Sequence, residues 1–471
     1  MSATPPDPAE IAALLTRASA CHDAADEAGV LAALDAALVL DPSNPHALNN
    51  RGLALRALGR TTEAADALAE AARRHPNAVH PHANLAATLL ALHRPAEALR
   101  AAEAALRLAP HATEPANLAG GALLALDRPA EAIAWFSRAL TADPAHPQAR
   151  FGLAMALLTL GRWPEGFIHY EARWDDPAFT ADEPVRAAPL WDGISALAGQ
   201  RILLHAEQGL GDTIMAARFA PVLRAAGAYV VLAVQKPLIR LLAPLADAVV
   251  GREDASPPHD CRTPLMSLPR LLGATPNRVP GDVPYLFAEP MPDVRGPENS
   301  VGPGRHAGLV LSGSPDHPDD ALRSIPAAAC GALRRITDVT WHLLQPAVRD
   351  SDKAALAGWP ALRRYDGRLG DFTDTARLVA AMDVVVSVDT SVAHLSGALG
   401  VPTMLFLQAA ADWRWLRGST TTAWYPSVQL VRQNAGQDWA AVMEVAIAGP
   451  GPWSGGRMTG ATQASSAGSR P

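Results

Sequence analysis

Cysteine is scarce in this chain: Cys21, Cys261 and Cys330 are its three, odd in number and far apart. No CxxC pair or zinc-type spacing occurs, so neither a disulfide framework nor a thiolate metal site is expected. Positive charge is also in deficit. A net charge of -7 and a pI near 6.1 give no global basic field, which removes nucleic acid from the expected partners. No apolar run reaches the roughly 18 residues that span a bilayer, because the longest candidates are cut by Lys236 and Arg240 or by Gln408. The opening MSATPPDPAE has neither a basic head nor an apolar core, so no secretory signal is expected there. A soluble protein of a reducing cytoplasm is the expectation.

What the chain does have is a beat. Pro42, Pro76, Pro110 and Pro144 recur every 34 residues, and Glu63, Glu97, Glu131 and Glu165 keep the same spacing. That is the period of a tetratricopeptide repeat. Small residues fall where paired helices must touch: Gly52, Ala86, Gly120 and Ala154 on the first helix, Ala64, Ala98, Ala132 and Gly166 on the second. Four units run from about Ile11 to Pro144, and a fifth from Ala145 to near Trp174, each broken at a turn (Gly59-Arg60, His93-Arg94, Asp127-Arg128, Gly161-Arg162). Residues 1–177 therefore read as a helical solenoid with a concave face suited to a peptide or protein partner. The alternative is that the solenoid only supports or dimerises the rest. Asn50 and Asn84 resemble the start of the asparagine ladder that holds peptide backbone in O-linked N-acetylglucosamine transferases, although Asn117 is one place out of register and Gly152 ends the series.

Beyond a linker at Ala178–Pro189 the pattern changes. Short apolar runs alternate with helical stretches: Arg201–His205, Tyr229–Val234, Gly308–Leu311, Val339–Leu344, Asp383–Val388 and Thr403–Leu407. Such runs predict parallel sheets covered on both faces. A Pro- and Gly-rich stretch, Glu289–Arg305, predicts a boundary between two Rossmann-like α/β domains, 178–295 and 296–448, facing one cleft at their strand tips. The Gly-, Ser- and Thr-rich end, 449–471, is expected to be disordered.

Three turns and one short segment carry candidate chemistry. Gly209, Gly211 and Asp212 stand where the strand RILLHA meets a helix; glycines there admit a ligand and the helix start favours negative charge. The dinucleotide fingerprint and the P-loop lysine are both missing, and Asp212 has the alternative role of a helix cap. Asp389, Thr390 and Ser391 stand where a buried strand enters another helix, an anion site by construction. His394, one turn on, shares a face with Thr390; the alternatives are a capping Asp389 and a merely buried His394. Ser312 and Gly313 end a strand and lead to Arg323, placed either toward a diphosphate or in solvent. Trp413 offers an indole to a nucleobase or to the core.

Taken together, AEQGLGDTIMAARFAP, LSGSP followed by RSIP, SVDTSVAHLSGALGVP and ADWRW resemble tetratricopeptide-containing glycosyltransferases of family 9, relatives of the ADP-heptose:lipopolysaccharide heptosyltransferases. The resemblance runs from about the second repeat to Val442. It implies a GT-B fold and inverting, metal-independent transfer from a nucleotide-diphosphate sugar to a protein, peptide or glycan acceptor, with no further cofactor. It places the base on Asp212 and the donor on Asp389, Thr390 and His394. Two departures stand out: Leu311 replaces the family's usual Trp before Ser-Gly, and Asp319–Arg323 replaces a more polar Asn- and Arg-containing stretch. Both weaken or redirect donor binding.

Overall fold

The 34-residue period is written into every turn of the repeats. Helices α1 (Pro8–Asp23), α2 (Glu27–Leu40), α3 (Pro45–Ala57), α4 (Thr61–Arg74), α5 (Val79–Ala91), α6 (Pro95–Leu108), α7 (Thr113–Ala125), α8 (Pro129–Ala142) and α9 (Pro147–Thr159) follow one another, and consecutive ones pack together. Within each pair one residue adopts the left-handed conformation: Ala25, Gly59, His93 and Asp127, with φ of 55°, 75°, 54° and 55°. Glycine takes this conformation freely, whereas a Cβ there costs about 1–2 kcal/mol. After Ala25 the next helix is capped by Asp26, which accepts from Gly29 N–H; in the other three pairs it starts at an arginine that lacks a side-chain cap bond and instead grips the glutamate of its own first turn: Arg60 with Glu63, Arg94 with Glu97, Arg128 with Glu131. The recurrent glutamates are therefore turn staples.

The core of this unit is largely alanine. Ala64, Ala98 and Ala132 have no exposed surface. A Cβ on Gly52 would overlap Leu68, and Gly120 and Gly152 both make room for Phe136. Small residues let the backbones close on one another, and stacking buries seams that no single pair could bury.

The computed structural model describes residues 7–175, 188–207, 209–295, 304–315, 317, 319–345, 347–365, 367–434 and 436–448. The predicted tail 449–471 and most of the predicted linker lie outside these residues. The chain divides into two compact units, Met1–Leu160 and Gly161–Pro471. The second unit opens with α10 (Trp163–Tyr170), the last helix of the repeat series. Trp163 is fully buried there against Trp413 and Trp424.

Two parallel sheets follow. The first joins β1 (Arg201–His205), β2 (Tyr229–Val234), β3 (Ala248–Gly251) and β4 (Cys261–Pro264) in the order β3-β2-β1-β4. The second joins β5 (Arg305–Val310), β6 (Val339–Leu343), β7 (Val384–Val388), β8 (Thr403–Leu407) and β9 (Val428–Arg432) in the order β6-β5-β7-β8-β9. Every residue of β7 and β8 is buried, as expected for strands covered on both faces. The order reverses at β1/β4 in one sheet and at β5/β7 in the other, the points where open α/β sheets take ligands.

Two helices leave these points: α11 (Leu210–Ala217) after β1 and α12 (Ser391–Ala398) after β7. They pack against each other, one from each sheet. The crossing segment reinforces the contact. The N–H groups of Tyr285 and Leu286 donate to Ala398 O, the Tyr285 hydroxyl donates to Ile214 O, and Met291 N–H donates to Arg377 O.

Candidate functional site

Gly209 is the residue just before α11 and makes no side-chain cap, which puts Asp212 at the third helical position rather than at the cap. A Cβ on Gly209 would lie 2.9 Å from Asp212 Oδ2, so the carboxylate reaches back beside the start of the helix. Asp212 Oδ1 accepts from Arg414 Nη2 at 2.6 Å, and Arg414 Nη1 also binds Asp412 Oδ1 at 2.7 Å. Arg414 is 9% exposed and Asp212 32%. Burial raises the Asp212 pKa above its usual range and Arg414 pulls it partly back. Arg414 itself stays charged, its pKa held up by Asp212 and Asp412 against burial.

On the other sheet the tips of β5 and β7 meet. Ser312 is buried and fixed by Gln345, whose Nε2 donates to Ser312 Oγ at 3.0 Å while its Oε1 accepts from Leu311 N–H at 2.7 Å. A Cβ on Gly313 would stand 2.5 Å from Arg323 Nη2 and 3.3 Å from Thr390 Cγ2, so that glycine makes room for the guanidinium. Arg323 Nη1 donates to Asp389 O at 3.0 Å. Thr390 begins α12 without a side-chain cap bond, and Ser391 is half-buried beside it. The fold thus brings Ser312, Gly313, Arg323, Asp389, Thr390 and Ser391 together. Arg323, Asp389 and Asp412 line a pocket of about 190 Å3 with Asp319, His317 and Gln408. Burial first, and Asp412 second, push Asp389 up to about 6. Among the described residues no group of three or more His, Cys, Asp or Glu side chains is placed to hold a metal ion.

Three expected ligand contacts are structural instead. Trp413 is 2% exposed and ringed by Trp163, Phe167, Tyr170 and Trp424 at centroid distances of 5.5–6.3 Å. Its burial leaves no face for a nucleobase. His394 is buried at the α11–α12 seam, bonds the Tyr425 hydroxyl through Nδ1 at 3.0 Å, and is depressed to about 3 by burial, so it stays neutral. It does not line the pocket around Asp389, and neither does Thr390. Gly211 faces that same ring, and a Cβ there would lie 2.7 Å from His394 Cδ2. Close helix approach, not ligand access, is what requires this glycine. Gly211→Ala is therefore expected to cost about 1–3 kcal/mol by overpacking, measured as a lower urea midpoint of the full chain; an unchanged midpoint would contradict the seam.

In the first unit Asn84 donates to Asn49 Oδ1 at 2.8 Å, and Asn49 in turn to Asn50 Oδ1 at 3.0 Å. The inter-repeat tie thus runs through Asn49 and not directly from Asn84 to Asn50. Asn50 is exposed and lines a groove of about 750 Å3 with His22, His46 and Arg56.

The tetratricopeptide-repeat family model matches residues 31–79, 84–147 and 136–177. The first third is a tetratricopeptide-repeat solenoid. Protein FlbA of Caulobacter vibrioides is 27% identical over 308 residues, 59% of this chain and 51% of FlbA, so the chain spans about half the length of this curated relative. MamA from Desulfovibrio magneticus is 19% identical, covering 36% of this chain and 97% of its own, with a TM-score of 0.33. A tetratricopeptide repeat protein from Parabacteroides merdae is 22% identical, covering 35% and 72%, with a TM-score of 0.32. No helix among the described residues is long and apolar enough to cross a membrane.

Arg414 and Asp412 were the partners missed by motif reading. The ADWRW string contains both, but nothing local says that its arginine turns toward Asp212 while its first tryptophan turns inward. Arg173 was missed as well. Fully buried, it binds both oxygens of Glu207 at 2.7 and 2.9 Å and donates to Ser267 Oγ at 2.8 Å. It sits between the rings of Tyr170 and Trp174 and ties the end of the repeat series to the β1 tip.

Proposed function

We propose that the α/β unit is a GT-B-type, inverting, metal-independent glycosyltransferase using a nucleotide-diphosphate sugar, with the repeats recruiting a protein or glycan acceptor. The observation that carries this reading is the meeting of two turns across the packed helices α11 and α12. One supplies a carboxylate, Asp212, held by a fixed cation; the other supplies the start of α12 at Thr390 and Ser391 beside Arg323. In this reading Asp212 takes the proton of the acceptor hydroxyl as that oxygen attacks the anomeric carbon. The bond to the diphosphate breaks, and the leaving group's charge is met by the N–H groups of α12 and by Arg323. Oδ1 is engaged by Arg414, and Oδ2 carries no hydrogen bond among the described residues, so Oδ2 is the basic oxygen in this scheme. Activity is expected to persist in chelator.

A second reading is favoured by one observation: Asp319, Asp389 and Asp412 outnumber Arg323 in the pocket. Excess carboxylate opposes a diphosphate, which suits a scaffold whose cleft no longer binds nucleotide. Titration of the full chain with UDP, GDP and ADP, followed by tryptophan fluorescence, separates the two. The transfer reading expects saturable binding by at least one, weakened about tenfold or more in Arg323→Ala. Absence of binding by all three leaves the scaffold.

A further inference from the structure

A second pocket opens beside the β1–β4 sheet of the second unit and shares no residue with the one around Asp389. Its volume is about 430 Å3, within the range of roughly 300 to 1,000 Å3 of small-molecule sites. It lies at the carboxyl end of β4, where Thr263 and Pro264 form part of its wall, next to the β1/β4 reversal of strand order. That is the ligand-taking position of an open α/β sheet.

The wall chemistry is specific. Trp191 lines it, and its indole N–H is already donated to Ser195 O at 3.0 Å, so what it offers the pocket is ring surface. Trp174 has one face covered by the Arg173 guanidinium at 4.7 Å. Glu171 is fixed by Ser267 Oγ at 3.0 Å and by Arg173 Nη1 at 3.2 Å. Arg270 Nε stands 3.7 Å from Glu171 Oε1, outside hydrogen-bond reach, so its donors are not consumed there. An aromatic face beside an adjacent acceptor and donor is what a sugar ring needs. Its C–H face covers the indole, one hydroxyl donates to the carboxylate, and a neighbouring hydroxyl accepts from the guanidinium.

We propose that this pocket is a saccharide subsite holding a pyranose ring of the acceptor. The sugar follows from the pocket; its being the acceptor's rests on the transfer reading above. The test titrates the full chain with the methyl glycosides of glucose, galactose, mannose and N-acetylglucosamine, observed by saturation-transfer NMR. Saturable binding of at least one is expected, weakened about tenfold or more in Trp191→Ala and in Arg270→Ala and unchanged in Arg323→Ala. The Arg270 side chain is 38% exposed, so its variant reads the site even where Trp191→Ala fails to fold. No saturable binding, or binding that survives both substitutions, overturns the proposal. Sugar binding without any nucleoside-diphosphate binding upholds the pocket and sinks the transfer reading alone.

Discussion

Asp212→Asn is expected to lower sugar transfer about a hundred- to ten-thousand-fold, the contribution of a positioned general base, while nucleoside-diphosphate affinity changes little. The amide keeps the shape of the side chain and its place in the first turn of α11, but it cannot accept a proton from the acceptor. Arg414 keeps Asp412 as a counter-charge at 2.7 Å, so the variant should fold; its unfolding midpoint, measured alongside, checks this. Wild-type turnover would reject the assignment. The pH profile carries a second test. A base works only when deprotonated, so activity falls as pH drops through the pKa of Asp212, which burial raises above the ordinary value of 3.8. The acid limb should therefore lie above that value. Because Arg414 pulls this pKa down, Arg414→Gln should move the limb to still higher pH.

Arg173→Met is expected to destabilise the second unit by about 3–5 kcal/mol, the usual penalty for stranding one partner of a buried ion pair. The Arg173 side chain has no exposed surface and that of Glu207 only 3%; the carboxylate would keep the Met266 N–H and lose both of its guanidinium bonds. Urea unfolding monitored by tryptophan emission measures the loss. Adding Glu207→Met should recover much of it, since a well-packed apolar pair often replaces a buried ion pair at little cost. A single variant as stable as the parent would show that the pair does not hold the repeat end to the β1 tip.

Much of the architecture follows from neighbouring residues alone. The repeats are legible because each 34-residue unit carries its own turn, staple and small-residue seam, all of them local. Strands β1, β2, β7 and β8, buried throughout except at Arg201 and Tyr229, are legible because a strand covered on both faces must be a nearly continuous apolar run. Strands β3, β4 and β9 carry no such run. AVVG is short and only partly buried, CRTP carries an arginine and a proline, and VQLVR alternates at the edge of its sheet. Their pairing, more than their composition, makes them strands.

The candidate site divides in the same way. Local composition marks where glycine-rich and hydroxyl-rich turns interrupt strand and helix, at Gly209–Asp212, at Ser312–Gly313 and at Asp389–Ser391. What each side chain meets there follows from long-range packing. It gave Asp212 to Arg414, gave Arg323 to Asp389, put Trp413 in an aromatic core, and set His394 against Gly211. Period and burial are properties of a short stretch of chain. The partner of a charged or aromatic side chain depends on which strand tips the sheets bring together, and that depends on the packing of the whole unit.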